Sequence, residues 1–433
     1  MIPLRLRAAL LLACTVLISR AAPAPLPIKP DIVVAADGSG NFTTIQAALE
    51  SIPADNRERI VVFIKDGTYH EKIRVDARCV TLRGQSRDGT RIEYPQFNDD
   101  FRKNPDKLGV AVININGDDC VIENLTAENT RDVIGGHAFT VYGTADRTVI
   151  TDCNVLSKGN DTLSLWKRDT GRYYHARLTV CGSVDFICPR GWCYMVDSEM
   201  TEVNPHTDAA MRHDGSRDPD MKFVMRGCRF EGPENFRLAR HHHDAQFFFI
   251  FCSFAKNMRD FAPYRVVYPL DGSAPTEADI KRNHDLDATN VWGERSYFSN
   301  CHHDGGDYAW HRDNLASAPG APNAAQVTAK WTFAGTWDPE NSVGPTIKSV
   351  TWEGGFAKVV FSENVTVKGH PYLALQGGDT AAYQSGSGSN TLTFVGHLRK
   401  PPRAPKLELD GGAIVATEAH ATLLTADLTL PSP

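Results

Sequence analysis

Val149-Ile150-Thr151-Asp152-Cys153-Asn154-Val155-Leu156-Ser157 decides the fold. Apolar and polar residues alternate along it over about six positions, the pattern of a short strand. The pattern recurs as VIENLTAEN from Val121, YHARLTVCG from Tyr174, YMVDSEMTE from Tyr194, VMRGCRFEG from Val224, FIFCSFAKN from Phe249 and YFSNCHHDG from Tyr297. The spacing is mostly about 20 to 30 residues, with one long insertion before Tyr297. Short strands at such a period, with no helical stretches between them, predict a solenoid of stacked coils.

One column of the repeat supports this. In register it reads Leu125, Cys153, Leu178, Ser198, Cys228, Cys252 and Cys301. Cysteines recurring at one position of a coil are expected as small, soft core residues rather than as disulfides or metal ligands. Upstream, Thr43-Thr44 precede Ile45, Ala48, Leu49 and Ile52, which predicts one capping helix before the strands begin at Ile60. From about Gly344 cysteine disappears, and short alternating segments separated by Gly, Ser and Thr predict a small antiparallel β-sandwich.

The chain has 433 residues, and its 46 Lys+Arg against 52 Asp+Glu leave a net charge of −6, which provides no basic field for nucleic acid. After the N-terminus no apolar run is long enough to span a bilayer. Residues 1–24 read as a secretory signal peptide: Arg5 and Arg7, an apolar run from Ala8 to Ile18, then Ala22-Pro23-Ala24. Leu11-Leu12-Ala13-Cys14 resembles a bacterial lipoprotein box, although the apolar run continues past the cysteine. The expected organisation is a signal peptide over 1–24, a parallel β-helix over 30–340 and a sandwich over 345–433. The expected location is secreted: periplasmic, extracellular or at the cell surface.

Candidate chemistry clusters in the repeat. His137, Asp161 and Asp185 are each 24 residues apart, so a solenoid of this period stacks them on adjacent coils. Asp185 lies between Val184 and Phe186, an apolar setting that raises the cost of a buried charge. Two carboxylates one rung apart can divide nucleophile and acid/base roles. Asp beside Gly or Asn also closes turns, and that reading competes for both residues. In Leu238-Ala239-Arg240-His241-His242-His243, strand alternation puts Arg240 and His242 on one face and His241 on the other. Successive strand residues cannot converge on one ion, which disfavours a metal there.

These segments resemble the pectin methylesterase (pectinesterase) family. Asp37-Gly38-Ser39-Gly40-Asn41-Phe42-Thr43-Thr44-Ile45-Gln46 is similar to the family's opening DGSGxFxTIQ, Ile64 to Glu71 to its GxYxE turn, and Gly182-Ser183-Val184-Asp185-Phe186-Ile187 to its GTVDFIFG signature. The matches run in order over about residues 32–335. The resemblance implies an all-β fold, a right-handed parallel β-helix, here followed by the sandwich. It implies hydrolysis of the C6 methyl ester of galacturonic acid units in pectin, with methanol as product, no cofactor and no metal. The implied partner is pectin or a related polyuronide, taken by a monomer. Asp185 falls on the family's nucleophile, Asp161 on its general acid/base and Arg240 on the arginine that holds the nucleophile. The two groove glutamines become His137 and Asn160, where an oxyanion or substrate contact is expected, and the substrate-stacking tryptophan becomes His242. These changes leave open a different sugar-acid ester, or a β-helix that binds polysaccharide without catalysis. The tail resembles the Ig-like modules of bacterial secreted enzymes. The insertion between Cys252 and Tyr297 is expected as a loop or lid over one wall of the groove.

Overall fold

The structure, a computed structural model, describes residues 30–433 except 168–169, 207, 215–217, 341–344, 346, 376–378, 397–404, 411, 420–427 and 430–433. The expected signal segment and Cys14 lie outside the described residues.

Each repeat contributes one rung to stacked parallel sheets, forming a parallel β-helix. The first sheet has ten strands, from Ile32–Val34 to Ser296–Ser299. The second has nine, from Gly67–Tyr69 to His302–His303. The third comes in two pieces. Ile73–Val75, Ile113–Ile115, Val141–Gly143 and Leu163–Leu165 form one. Ala209–Arg212, Arg237–His241 and Tyr264–Arg265 form the other. Ile187 bridges the two pieces through Leu163 and Met211.

The corner between the first and second sheets shows why the repeat folds this way. Asn124, Asp152, Arg177, Asp197, Gly227, Phe251 and Asn300 all have positive φ there. That conformation costs a non-glycine residue about 1–2 kcal/mol. The N–H of each of the first six still donates to the next rung, as in Asp152 N to Ala176 O at 3.0 Å and Arg177 N to Val196 O at 3.0 Å, and on the last rung Asn300 N donates to Asp313 Oδ1 at 2.7 Å. The following residue then turns inward. All seven members of the Leu125–Cys301 column are buried. Their thiols donate to carbonyls of their own or the adjoining rung, as Cys153 Sγ does to Thr151 O at 3.1 Å. The nine cysteines from Cys79 to Cys301 are all unbridged.

The expected helix is Ile45–Glu50, with Thr44 as N-cap. Its first N–H groups also donate to the Glu71 carboxylate, Ile45 N at 2.8 Å and Gln46 N at 3.0 Å. Two motifs far apart in sequence thus form one helix cap. The coils are not free of helix as the repeat suggested. Asn98–Lys103 lines a cleft together with Asn114 and Tyr142 of the third sheet, and the insertion carries Glu277–Asp287. Neither shows a strong apolar periodicity, which is why the sequence pattern passed over them.

The C-terminal strands, from Ile347–Glu353 to Leu428–Thr429, form one antiparallel sheet wrapped around Ala357, Val359, Phe361, Leu392 and Phe394. The thirteen-residue strand Phe356–Lys368 pairs with three others and closes the sandwich. It docks on the β-helix through fully buried Arg59. Arg59 donates to Asp119 O at 2.5 Å and Thr417 O at 2.7 Å, and its backbone N–H donates to Thr366 Oγ1 at 2.8 Å. No helix among the described residues is long and apolar enough to cross a membrane.

Candidate active site

Asp161 and Asp185 occupy the corner between the second and third sheets on successive rungs. Both have positive φ, +58° and +53°, a conformation that Asp tolerates better than bulkier residues. Their backbones continue the ladder: Asp161 N donates to Val184 O at 3.0 Å, and Asp185 N to Ala209 O at 2.9 Å. His137 lies on the rung before, bridged to Asn160. The interval of 24 residues therefore stacks all three.

Arg240, on Arg237–His241, grips Asp185 with two parallel hydrogen bonds, Nε to Oδ1 at 2.8 Å and Nη2 to Oδ2 at 2.9 Å. Such a fork is the strong form of the pair. Its remaining nitrogen, Nη1, donates to Asp208 Oδ1 at 3.0 Å. Arg212 approaches Asp185 Oδ2 at 3.7 Å and donates to Asp214 Oδ2 at 2.7 Å. Burial pushes the Asp185 carboxyl up to about 6, against the downward pull of Arg240. The two hydrogen bonds from Arg240 oppose that push and favour the ionised form. Burial weighs on Asp214 too, but Arg212 and Arg190 hold it well below the usual carboxylate range. Glu202, buried nearby, is pushed up to about 9 by burial.

Asp161 is buried, with Oδ1 lacking a hydrogen-bond partner among the described residues and Oδ2 3.1 Å from His137 Nε2. The His137 side chain is 52% exposed. Its hydrogen bond to Asp161 holds the imidazole above its usual range. Asn160 accepts from Val184 N through Oδ1 at 3.3 Å, which sets the orientation of its amide.

A cleft of about 640 Å³ adjoins these groups. His137, Phe139, Tyr142, Trp166 and Arg190 line one side, and Phe101 and Arg102 the other. Trp166 is fixed by its indole N–H to Cys188 O at 2.8 Å and by Arg190 stacked 3.8 Å from its ring. An equally large cleft within the insertion contains none of the three stacked residues, so chemistry rather than volume locates the site.

Two expectations need correction. His242 does not offer an open ring: it is buried, its Nε2 lies 2.7 Å from the Tyr268 hydroxyl, and the two rings stack at 5.8 Å. Arg282 covers the Tyr268 ring at 3.5 Å. The insertion that supplies both residues is also more than a loop. Tyr264–Arg265 adds a rung beside Arg240 and His241, and Glu277–Asp287 is a helix with a Thr276–Asp279 capping box. Arg212, Asp208, Asp214 and Trp166 escaped sequence reasoning. Arg212 had a signal, since it lies one rung from Arg240 in register.

Gly182 shows how tight the approach to Asp185 is. A Cβ there would lie 2.2 Å from Phe186 Cβ and 2.3 Å from Thr162 Oγ1. Gly182→Ala is expected to cost about 1–3 kcal/mol by overpacking and to lower activity by moving Asp185. Thermal unfolding and turnover of the same preparation check both.

A family model described as Pectinesterase matches residues 31–248, just over half of the chain. The chain belongs to the pectinesterase family. Curated relatives include a pectinesterase of Petunia integrifolia, 28% identical over 209 residues, covering 47% of this chain and 54% of the relative. A probable pectinesterase/pectinesterase inhibitor of Arabidopsis thaliana is 30% identical over 214 residues, covering 48% and 37%. The chain thus spans about half or less of the length of these relatives. Among solved structures, pectin methylesterase PemA from Erwinia chrysanthemi superposes with a TM-score of 0.57 at 19% identity, over 72% of this chain and 99% of that one. Pectin methylesterase from carrot gives 0.56 at 19%, over 72% and 95%. They share the pectinesterase fold described above.

Proposed function

We propose that this pectinesterase family member hydrolyses the methyl ester of galacturonate units in pectin through a covalent intermediate on Asp185. The observation that carries the reading is the buried Asp185 carboxylate, held by the Arg240 fork one rung from the Asp161–His137 pair and beside an aromatic cleft. A carboxylate with both oxygens held in place is aimed rather than free to rotate, which lowers the entropic cost of attack. Asp185 attacks the ester carbonyl, the Asp161 side supplies a proton to the departing methanol, and the same side activates water to cleave the acyl-enzyme. With its oxygen held by Val184 N–H, the Asn160 amide directs its N–H groups to the oxyanion. Pectin lies outside the cell, in keeping with the secretory signal expected over residues 1–24.

Methanol release from highly methylated pectin, with polymer length followed in parallel, tests this. Methanol should appear while the backbone stays intact; shortened chains would point to a lyase or glycosidase. The rate should fall as pH drops through about 6. Asp185 acts as the carboxylate, so protonation removes the nucleophile. A rate independent of pH between 5 and 7 would count against Asp185.

One observation favours a different sugar-acid ester: His242, at the position where the family resemblance implies a substrate-stacking tryptophan, is covered by Tyr268 and Arg282. Comparing methyl-esterified pectin with short methylated oligogalacturonides and other uronate esters separates the two.

A further inference from the structure

His137 both contacts the Asp161 carboxyl and lines the cleft. Asp161 is buried, and one of its oxygens has no partner among the described residues while the other faces His137 Nε2 at 3.1 Å. The imidazole is half exposed and lines the cleft. Phe139 stacks beside it, with ring centroids 6.1 Å apart. A glutamine here, as the family resemblance implies, could only hydrogen-bond. An imidazole held by a carboxylate at one nitrogen can carry a proton at the other.

We propose that His137 is the group that passes the proton, with Asp161 orienting and charging it from behind. This rests on the esterase reading above. Asp185 forms a bond to the ester carbonyl carbon. The C–OCH₃ bond then breaks, and the Nδ1 proton of the imidazolium goes to the methoxide oxygen, giving methanol. The neutral imidazole next takes a proton from water. The resulting hydroxide adds to the acyl carbonyl, the bond to Asp185 breaks, and the Asp185 carboxylate and the imidazolium are restored. The new carboxylic acid loses its proton to solvent.

The charged groups around His137 agree with this assignment. Asp161 on the next rung and Asp185 beyond it favour the imidazolium. Arg102, on Asn98–Lys103, opposes it, and Arg74 and Arg190 also line the cleft. The hydrogen bond to Asp161 outweighs the other influences and raises the imidazole. The donor is therefore lost only as pH rises through that raised value.

His137→Gln provides the test, because a merely supporting glutamine should do no harm. At pH 7 methanol release should fall about 100-fold, the contribution of one acid/base group. The basic limb of kcat/KM should move down by at least about one pH unit, because the proton must then reside on a carboxyl alone. A variant as active as wild type, with its basic limb in place, would overturn the proposal and leave Asp161 acting directly. Histidine-selective NMR titration of the full chain reads the pair without substrate. The His137 midpoint should drop in Asp161→Asn; a midpoint indifferent to that change would overturn the proposal. If wild type releases no methanol, the pectin reading fails, and the titration still decides the His137–Asp161 pair.

Discussion

Asp185→Asn should release no detectable methanol, with a rate loss of at least about 10⁴-fold. An amide of nearly the same shape keeps an oxygen facing Arg240 but has no lone pair basic enough to attack an ester. The variant should remain folded, since Arg240 keeps its hydrogen bond to Asp208 at 3.0 Å. Replacing a buried carboxylate by a neutral amide also removes the desolvation that pushes Asp185 up. Methanol assay and thermal unfolding of the same preparation check both parts. Residual turnover within about tenfold of wild type, larger than leakage past a missing nucleophile, would mean that Asp185 is not the nucleophile.

Arg240→Met tests the other half of the pair. The two side chains are 12% and 6% exposed, so water cannot replace the lost guanidinium. Removing one partner of a buried pair costs about 3–5 kcal/mol. Among the described residues the remaining carboxylate keeps Arg212 at 3.7 Å, and its titration should move further above the value of about 6 in the wild type. Two consequences have opposite pH dependence. Activity at pH 6 should drop by about 100-fold or more and partly recover toward pH 8, as Asp185 regains its charge. Stability should be most reduced at neutral pH and less so near pH 5. A carboxyl raised in the folded state binds its proton more tightly there than when unfolded, so acidification between the two values favours the fold. Activity profiles and thermal midpoints at pH 5 and 8 check these; a variant most destabilised at pH 5 would show that Arg240 does not hold an ionised Asp185.

Much of this site was legible because a solenoid converts sequence interval into spatial neighbourhood. With a rung every 20 to 30 residues, His137, Asp161 and Asp185 had to stack, and strand alternation put Arg240 on one face. The cysteine column was legible for the same reason, since one position per coil points inward. What stayed hidden depends on contacts across long intervals. Asp208 shares Arg240 with Asp185, and Asp214 is held by Arg212; no local pattern marks such sharing. Tyr268 reaches His242 from an insertion whose helix has little apolar periodicity, so neither its shape nor its landing point could be read.

The sequence by itself determined the coil period, the inward column, the order of the rungs and the chemical identity of the candidate nucleophile and its arginine. The period, the column and the order follow from periodicity, which acts residue by residue along the chain; the candidate nucleophile and its arginine are what the resemblance to the pectinesterase family implies. Only the tertiary structure decided which nitrogen faces which oxygen: the Arg240 fork on Asp185, the imidazole of His137 over Asp161, and the Tyr268–Arg282 stack over His242. Burial and charge pairing set those contacts, and both arise only when distant segments pack together.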